Sequence, residues 1–177
     1  MQGELIFVLC IQEEMLLFEC HGGQTMNLQR GKYFEEFTVG MSFTSPGRTV
    51  TESDIVSFAG LSGDYTQIHT DAEFSKTTIV GERVAHGLLG LAIASGLAVR
   101  TGVLEGTVIA FREIVEWKFV KPIFIGDTVR VSQEVVELKS LPRLGGGAVN
   151  IELRLLNQND DLVMKGVWKV LVASSPE

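Results

Sequence analysis

The chain has 177 residues, 45% of them hydrophobic and 21% charged, which suits one folded domain with a sizeable core. Fifteen Lys and Arg against 22 Asp and Glu leave a net charge of −7. That balance argues against non-specific nucleic-acid binding, which needs a basic surface to release counterions, but it admits an anionic small ligand held by a few basic side chains. Cys10 and Cys20 are in neither a CxxC nor a zinc-type spacing, so a reduced cytoplasmic protein is expected.

Leu5 to Ile11 is a continuous apolar run, too short to span a membrane. Glu4 is the only early charge and no basic start precedes the run, so a signal peptide is not expected. Residues 1–30 are expected to be an extension, either a strand or hairpin packed on the domain or a dispensable segment before Met26. Residues 31–177 form the expected domain. Phe43 to Thr51 is extended in character, with a turn at Pro46-Gly47. Thr51 and Asp54 form a variant capping box, and apolar residues at helical spacing predict a helix over about 52–61. The polar loop Gly63-Asp64-Tyr65-Thr66-Gln67-Ile68-His69-Thr70-Asp71 follows, then a short helix over 72–76 capped by Asp71.

A long helix is expected over about 83–100. No charged residue occurs from Gly87 to Val99, and apolar or small residues occur all round, so the helix is expected to be buried on nearly every side. Its small residues would admit a closely packed sheet. The stretches 108–120, 127–139, 147–157 and 162–174 are rich in Val, Ile, Phe and Trp and read as strands, with LPRLGGG at 141–147 as a mobile loop. Helices first and sequential strands second indicate α+β, a helix enclosed by a curved antiparallel sheet.

Asp64 and His69 share one loop. A carboxylate and an imidazole on either side of a water can orient it, take its proton and return one, which suits addition of water to an activated double bond or the reverse. Gly87, in the first turn of the long helix, would present an unpaired N–H to a carbonyl that becomes enolate-like. Ser95 lies two turns further along that face. The same residues also have plainer roles. Asp64 can close an Asx turn after Gly63, Asp71 can be an N-cap, and His86 can be a satisfied, partly buried side chain. His21, His69 and His86 make no metal site by spacing, and no phosphate-cradling glycine loop or GxSxG motif occurs.

Residues about 33–173 resemble the MaoC-like dehydratases, relatives of the (R)-specific enoyl-CoA hydratases. The resemblance is carried by GDYTQIH, VAHGLL and FVKPIFIGDTV, in that order. It implies the hotdog fold, a long helix wrapped by an antiparallel sheet. It also implies Asp64 and His69 as the catalytic pair, Gly87 as the oxyanion glycine and Ser95 as an active-site serine. Thr66-Gln67 stand where the family usually has Asn-Pro, and loss of proline predicts a less firmly placed His69. The implied reaction is reversible hydration of a 2-enoyl-thioester to a 3-hydroxyacyl-thioester, in the (R) configuration. No metal or redox cofactor is implied, with coenzyme A or an acyl carrier entering as part of the substrate. Arg112, Lys118 and Lys121 are candidate contacts for its phosphates. A hotdog thioesterase and a non-catalytic acyl-binding protein are the alternatives. A homodimer or larger homo-oligomer is expected, because a single such sheet has an exposed edge; neither nucleic acid nor membrane is expected as a partner.

Overall fold

A computed structural model describes residues 31–176 of the chain. The expectations for the N-terminal run, Cys10, Cys20, His21 and a start at Met26 fall outside the described residues.

Two short strands, β1 (Ser42–Thr44) and β2 (Arg48–Thr49), precede helix α1 (Glu52–Ser62). The α1 start follows from its sequence. The Thr51 hydroxyl accepts from the Asp54 N–H at 3.3 Å, and the Asp54 carboxylate accepts from the Thr51 N–H at 2.8 Å. Each satisfies a donor that a helix end leaves orphaned. Gly63 ends α1 at φ +75, a left-handed cap that suits glycine. Two short helices follow, α2 (Gln67–Thr70) and α3 (Ala72–Lys76). Asp71 caps α3 as expected, accepting from the Phe74 N–H at 2.9 Å. The expected loop therefore contains a helical turn that composition did not reveal.

The long helix α4 spans Gly87–Val99, four residues shorter at its start than expected. Residues 84–85 are held in extended backbone by other elements. Val84 bridges Phe124, and the Ala85 N–H donates to the Ile123 carbonyl at 2.8 Å. Strands β3 (Val108–Phe119), β4 (Thr128–Leu141), β5 (Gly146–Leu156) and β6 (Leu162–Ala173) complete the fold. They join β1 in an antiparallel sheet ordered β1-β4-β5-β6-β3, with β2 paired to the start of β4. Strand β3 therefore lies at the far edge from β4, and residues 120–127 carry the chain back across. That crossing segment supplies Ile123 and Phe124, which fix the approach to α4. This is the α+β hotdog arrangement: a curved antiparallel sheet about a central helix.

The core explains why α4 is a helix. Leu89, Ile93, Ala94, Leu97 and Ala98 pack on Val129, Val131, Leu153, Leu155, Val163, Met164 and Trp168. Full burial of a Leu or Ile side chain stabilises by about 1.5–3 kcal/mol, whereas an interior glycine such as Gly90 costs about 1 kcal/mol relative to Ala. Packing therefore outweighs propensity. A Cβ at Gly90 would collide with Met164 and Ile123, so glycine there sets how closely the sheet approaches. The buried Gln133 side chain donates to the Ala98 carbonyl at 3.2 Å, which gives its amide a partner on α4; that carbonyl also accepts from the Thr101 hydroxyl at 2.7 Å.

Two expectations are corrected. α4 is not buried on nearly every side of the single chain, because Leu88 is 62% and Val99 54% exposed. Hydropathy shows that a face is apolar but not what covers it. LPRLGGG is not a loose loop either. Pro142–Leu144 make a 3₁₀ turn, Gly145 takes a left-handed φ of +63, and Gly146 and Gly147 already pair in β5. A Cβ at Gly146 would strike the Val172 carbonyl, and one at Gly147 the Phe34 ring. Those glycines are there for close approach, not for flexibility. Among the described residues no helix is long and apolar enough to cross a membrane.

Candidate active site

The loop after α1 brings its polar groups to the N-terminus of α4. Asp64 is exposed, and its carboxylate accepts from the Thr66 hydroxyl at 2.6 Å and the Thr66 N–H at 3.1 Å. This is the Asx turn that the residue type allows. The Thr66 hydroxyl, and after it the Thr66 amide, hold the Asp64 carboxyl below the usual carboxylate range. Partial desolvation opposes this, and positive charge on His86 or His69 adds to it. Asp64 is therefore ionised at neutral pH. Thr66→Val removes the stronger donor while keeping the shape. The carboxyl titration is then expected to move up toward the ordinary aspartate value, as read by carboxyl-carbon NMR. An unmoved titration would show that the hydroxyl does not set it. The sign for stability follows: a depressed carboxyl contributes stability above the unfolded-state value and loses it as pH falls through the folded one.

His69 lies in α2, partly buried. Its Nδ1 is 2.8 Å from the Val84 carbonyl oxygen. A carbonyl only accepts, so Nδ1 carries the hydrogen and Nε2 of the neutral ring keeps its lone pair. The His69 N–H also donates to the Thr66 carbonyl at 2.9 Å. The proline-free loop is thus held by hydrogen bonds. Thr66 has φ −53 and ψ 134, the extended shape a residue before proline would also adopt. Lack of proline has not left His69 unsupported.

Spacing did not reveal the part played by His86. It is 2% exposed, and its ring stacks on His69 with centroids 3.9 Å apart and planes at 29°. Its Nε2 is 2.9 Å from the Asp64 carbonyl oxygen, while Nδ1 is buried without a partner among the described residues. Among those residues Asp64, His69 and His86 form the one grouping whose ligand-type atoms lie within 4.8 Å of one another. The distances alone would admit a metal ion. Stacked rings, however, send their in-plane lone pairs side by side, whereas an ion needs them to converge. The hydrogen bonds of the Asp64 carboxylate go to Thr66 and not to either imidazole. A separation of this order suits a water held between carboxylate and imidazole. The arrangement is equipped to move protons.

Gly87 follows His86 as the first residue of α4. The first intrahelical bond comes from the Gly90 N–H to the His86 carbonyl, at 3.1 Å. The earlier amides have no intrahelical acceptor, and the N-cap side chain does not turn back onto them. Gly87 also lines a cavity of about 240 Å³ with Ala85, Phe119, Lys121, Ile123 and Met164. Asp64, His69 and His86 are not among its walls; they adjoin it through the His86-Gly87 peptide.

Ser95 is exposed and lines no part of that cavity. Of the three candidate phosphate contacts, Lys121 alone lines it, and it pairs with Asp161 at 2.8 Å. Lys118 faces a separate cavity with Glu116, Glu152 and Lys165. Arg112 lies in a groove over the sheet with Glu137 and Lys139. Sequence reasoning also missed Thr66 as the partner of Asp64, Val84 as the group that sets the His69 tautomer, and Phe119 beside Gly87. For His86 the only signal in the sequence was its place in VAHGLL beside Gly87.

The MaoC like domain matches residues 34–153. Protein MaoC of Klebsiella aerogenes is 45% identical over 100 residues, 56% of this chain and 29% of that protein. The chain therefore spans less than a third of the Klebsiella protein. An (R)-specific enoyl-CoA hydratase of Rhodospirillum rubrum is 35% identical over 106 residues, 60% of this chain and 71% of the relative. Among solved structures, a monoamine oxidase regulatory protein from Archaeoglobus superposes with a TM-score of 0.78 at 38% identity, over 84% of this chain and 98% of that one. The double-hotdog protein RV0216 of Mycobacterium tuberculosis superposes with a TM-score of 0.75 at 22% identity, over 83% of this chain and 46% of that one, a likeness of fold alone.

Proposed function

The chain belongs to the family of MaoC-like domain proteins, and on that premise we propose that it catalyses reversible hydration of a 2-enoyl-thioester to a 3-hydroxyacyl-thioester. The observation that carries this reading is the pairing of an ionised Asp64 with His69, a carboxylate oxygen and a ring nitrogen of the two lying within 4.8 Å, and the Val84 carbonyl holding Nδ1 so that the Nε2 lone pair is left for a proton. Asp64 and His69 hold a water and take its proton as its oxygen adds to C3 of the enoyl group. The thioester oxygen gains enolate charge and is held by the Gly87 N–H, where the α4 dipole favours negative charge. The pair then returns a proton to C2. Acid and base are not divided between the two residues, because a coupled pair titrates as a unit. The reaction calls for no metal or redox cofactor; coenzyme A or an acyl carrier enters with the substrate. The (R) configuration is proposed by likeness to the Rhodospirillum hydratase.

The test is to offer crotonyl-CoA and longer or branched enoyl-CoAs to the purified protein. Hydration removes the conjugated double bond and leaves the thioester intact. Release of free thiol would instead identify a thioesterase, and ligand binding without turnover a non-catalytic protein.

We further propose that the protein works as a homodimer or larger homo-oligomer. Among the described residues β3 is a sheet edge, bearing exposed Ile109 and Phe111, and α4 exposes Leu88 and Val99. Such an edge with apolar neighbours is a template for association. Light scattering is expected to give a multiple of 19.4 kDa. Phe111→Glu is expected to return the protein toward the monomer, and a monomeric parent would remove the proposal.

A further inference from the structure

His86 is not used by the proposed chemistry, yet it is the most constrained polar side chain beside it. It occupies the N-cap of α4, where Ser, Thr, Asp or Asn would turn an oxygen onto the first helical amides. The imidazole makes no such bond. It turns instead to the Asp64 carbonyl, 2.9 Å from Nε2, so Nε2 carries the hydrogen. One ring face meets His69 at 3.9 Å, and Phe58 packs at 5.0 Å. With the hydrogen on Nε2, the neutral ring leaves Nδ1 as a buried acceptor without a partner among the described residues. An apolar ring of similar shape would avoid that cost. The polar ring is therefore retained for its Nε2 bond.

We propose that His86 is a positioning residue for the site. Its Nε2–H holds the Asp64 backbone and its ring seats the His69 imidazole, so one buried side chain sets both acid–base groups. The kinetic consequence rests on the hydration proposed above; the structural one does not.

The test has two arms on the full-length protein. Imidazole nitrogen NMR of the parent is expected to show a slowly exchanging hydrogen on Nε2 of His86; an Nδ1–H tautomer there overturns the proposal. His86→Phe keeps a flat ring and loses the donor, whereas His86→Gln keeps a donor at similar reach and loses the ring. Each is expected to lower kcat about 10–100-fold with KM within about threefold, the pattern of misplaced groups with intact substrate binding. The Asp64 carbonyl-carbon signal should move in His86→Phe and be largely restored in His86→Gln. If both variants melt cooperatively and keep kcat within about threefold of the parent, His86 is a core residue only. Should His86→Phe not fold, His86→Gln and the parent tautomer decide. Should the parent show no hydration, the functional proposal fails by itself. The Asp64 carbonyl-carbon signal and the exchange rate of the His69 Nδ1 hydrogen in the variants then decide, a moved signal with faster exchange supporting positioning and unchanged values overturning it.

Discussion

Asp64→Asn and His69→Asn are each expected to lower hydration of an enoyl-CoA by about 10²–10⁴-fold, the usual contribution of a positioned acid or base. These substitutions separate chemistry from structure. In Asp64→Asn the amide oxygen can still accept from the Thr66 hydroxyl and N–H, so the Asx turn survives while the negative charge is lost. In His69→Asn an amide nitrogen replaces Nδ1 opposite the Val84 carbonyl, while the Nε2 lone pair and the ring stacked on His86 are lost. Both side chains lie at or near the surface, so melting temperatures should move little. The double variant is expected to be scarcely worse than the weaker single one, because groups acting on one water fail together. A loss below about tenfold in both single variants would remove the pair from the mechanism.

The second large effect is expected at Gly87, from a comparison of alanine with proline. A Cβ there would lie 2.9 Å from Cε1 of Phe119, so both substitutions press on the same half-exposed ring. Proline alone also removes the N–H. The first position of a helix tolerates proline, since that amide makes no intrahelical bond. His86 already has φ −57 and ψ 139, as a residue before proline requires. Gly87→Ala therefore measures the steric cost and Gly87→Pro the steric cost plus the missing donor. Removal of one oxyanion donor costs about 10²–10³ in kcat elsewhere, and a further loss of that size is expected from Ala to Pro. Equal activity in the two variants would show that the Gly87 amide does not hold the substrate oxygen.

Much of the fold was legible because it rests on local rules. The Thr51–Asp54 box, the Asp71 cap and the valine-rich strands appear within a residue or two of where the pattern put them. Period-two burial in β4 follows Val129, Val131, Gln133 and Val135, and the buried glutamine amide is tolerated at a core position because it donates to the Ala98 carbonyl. The α4 start and the packed glycines were misread for one reason: distant partners set them. Those partners are Phe124 and Ile123 for the helix start, and Val172 and Phe34 for Gly146 and Gly147.

The candidate site divides along the same line. Residue type and spacing were enough to say which groups are present: a carboxylate and an imidazole in one loop, a glycine opening an uncharged helix, and a motif order that marks the family. The state of those groups came from the fold. The tautomer of His69 depends on a carbonyl 15 residues away, and the partner of His86 lies 22 residues before it. Protonation and orientation are set by what surrounds a side chain through space, and α4 and its crossing segment bring those surroundings together.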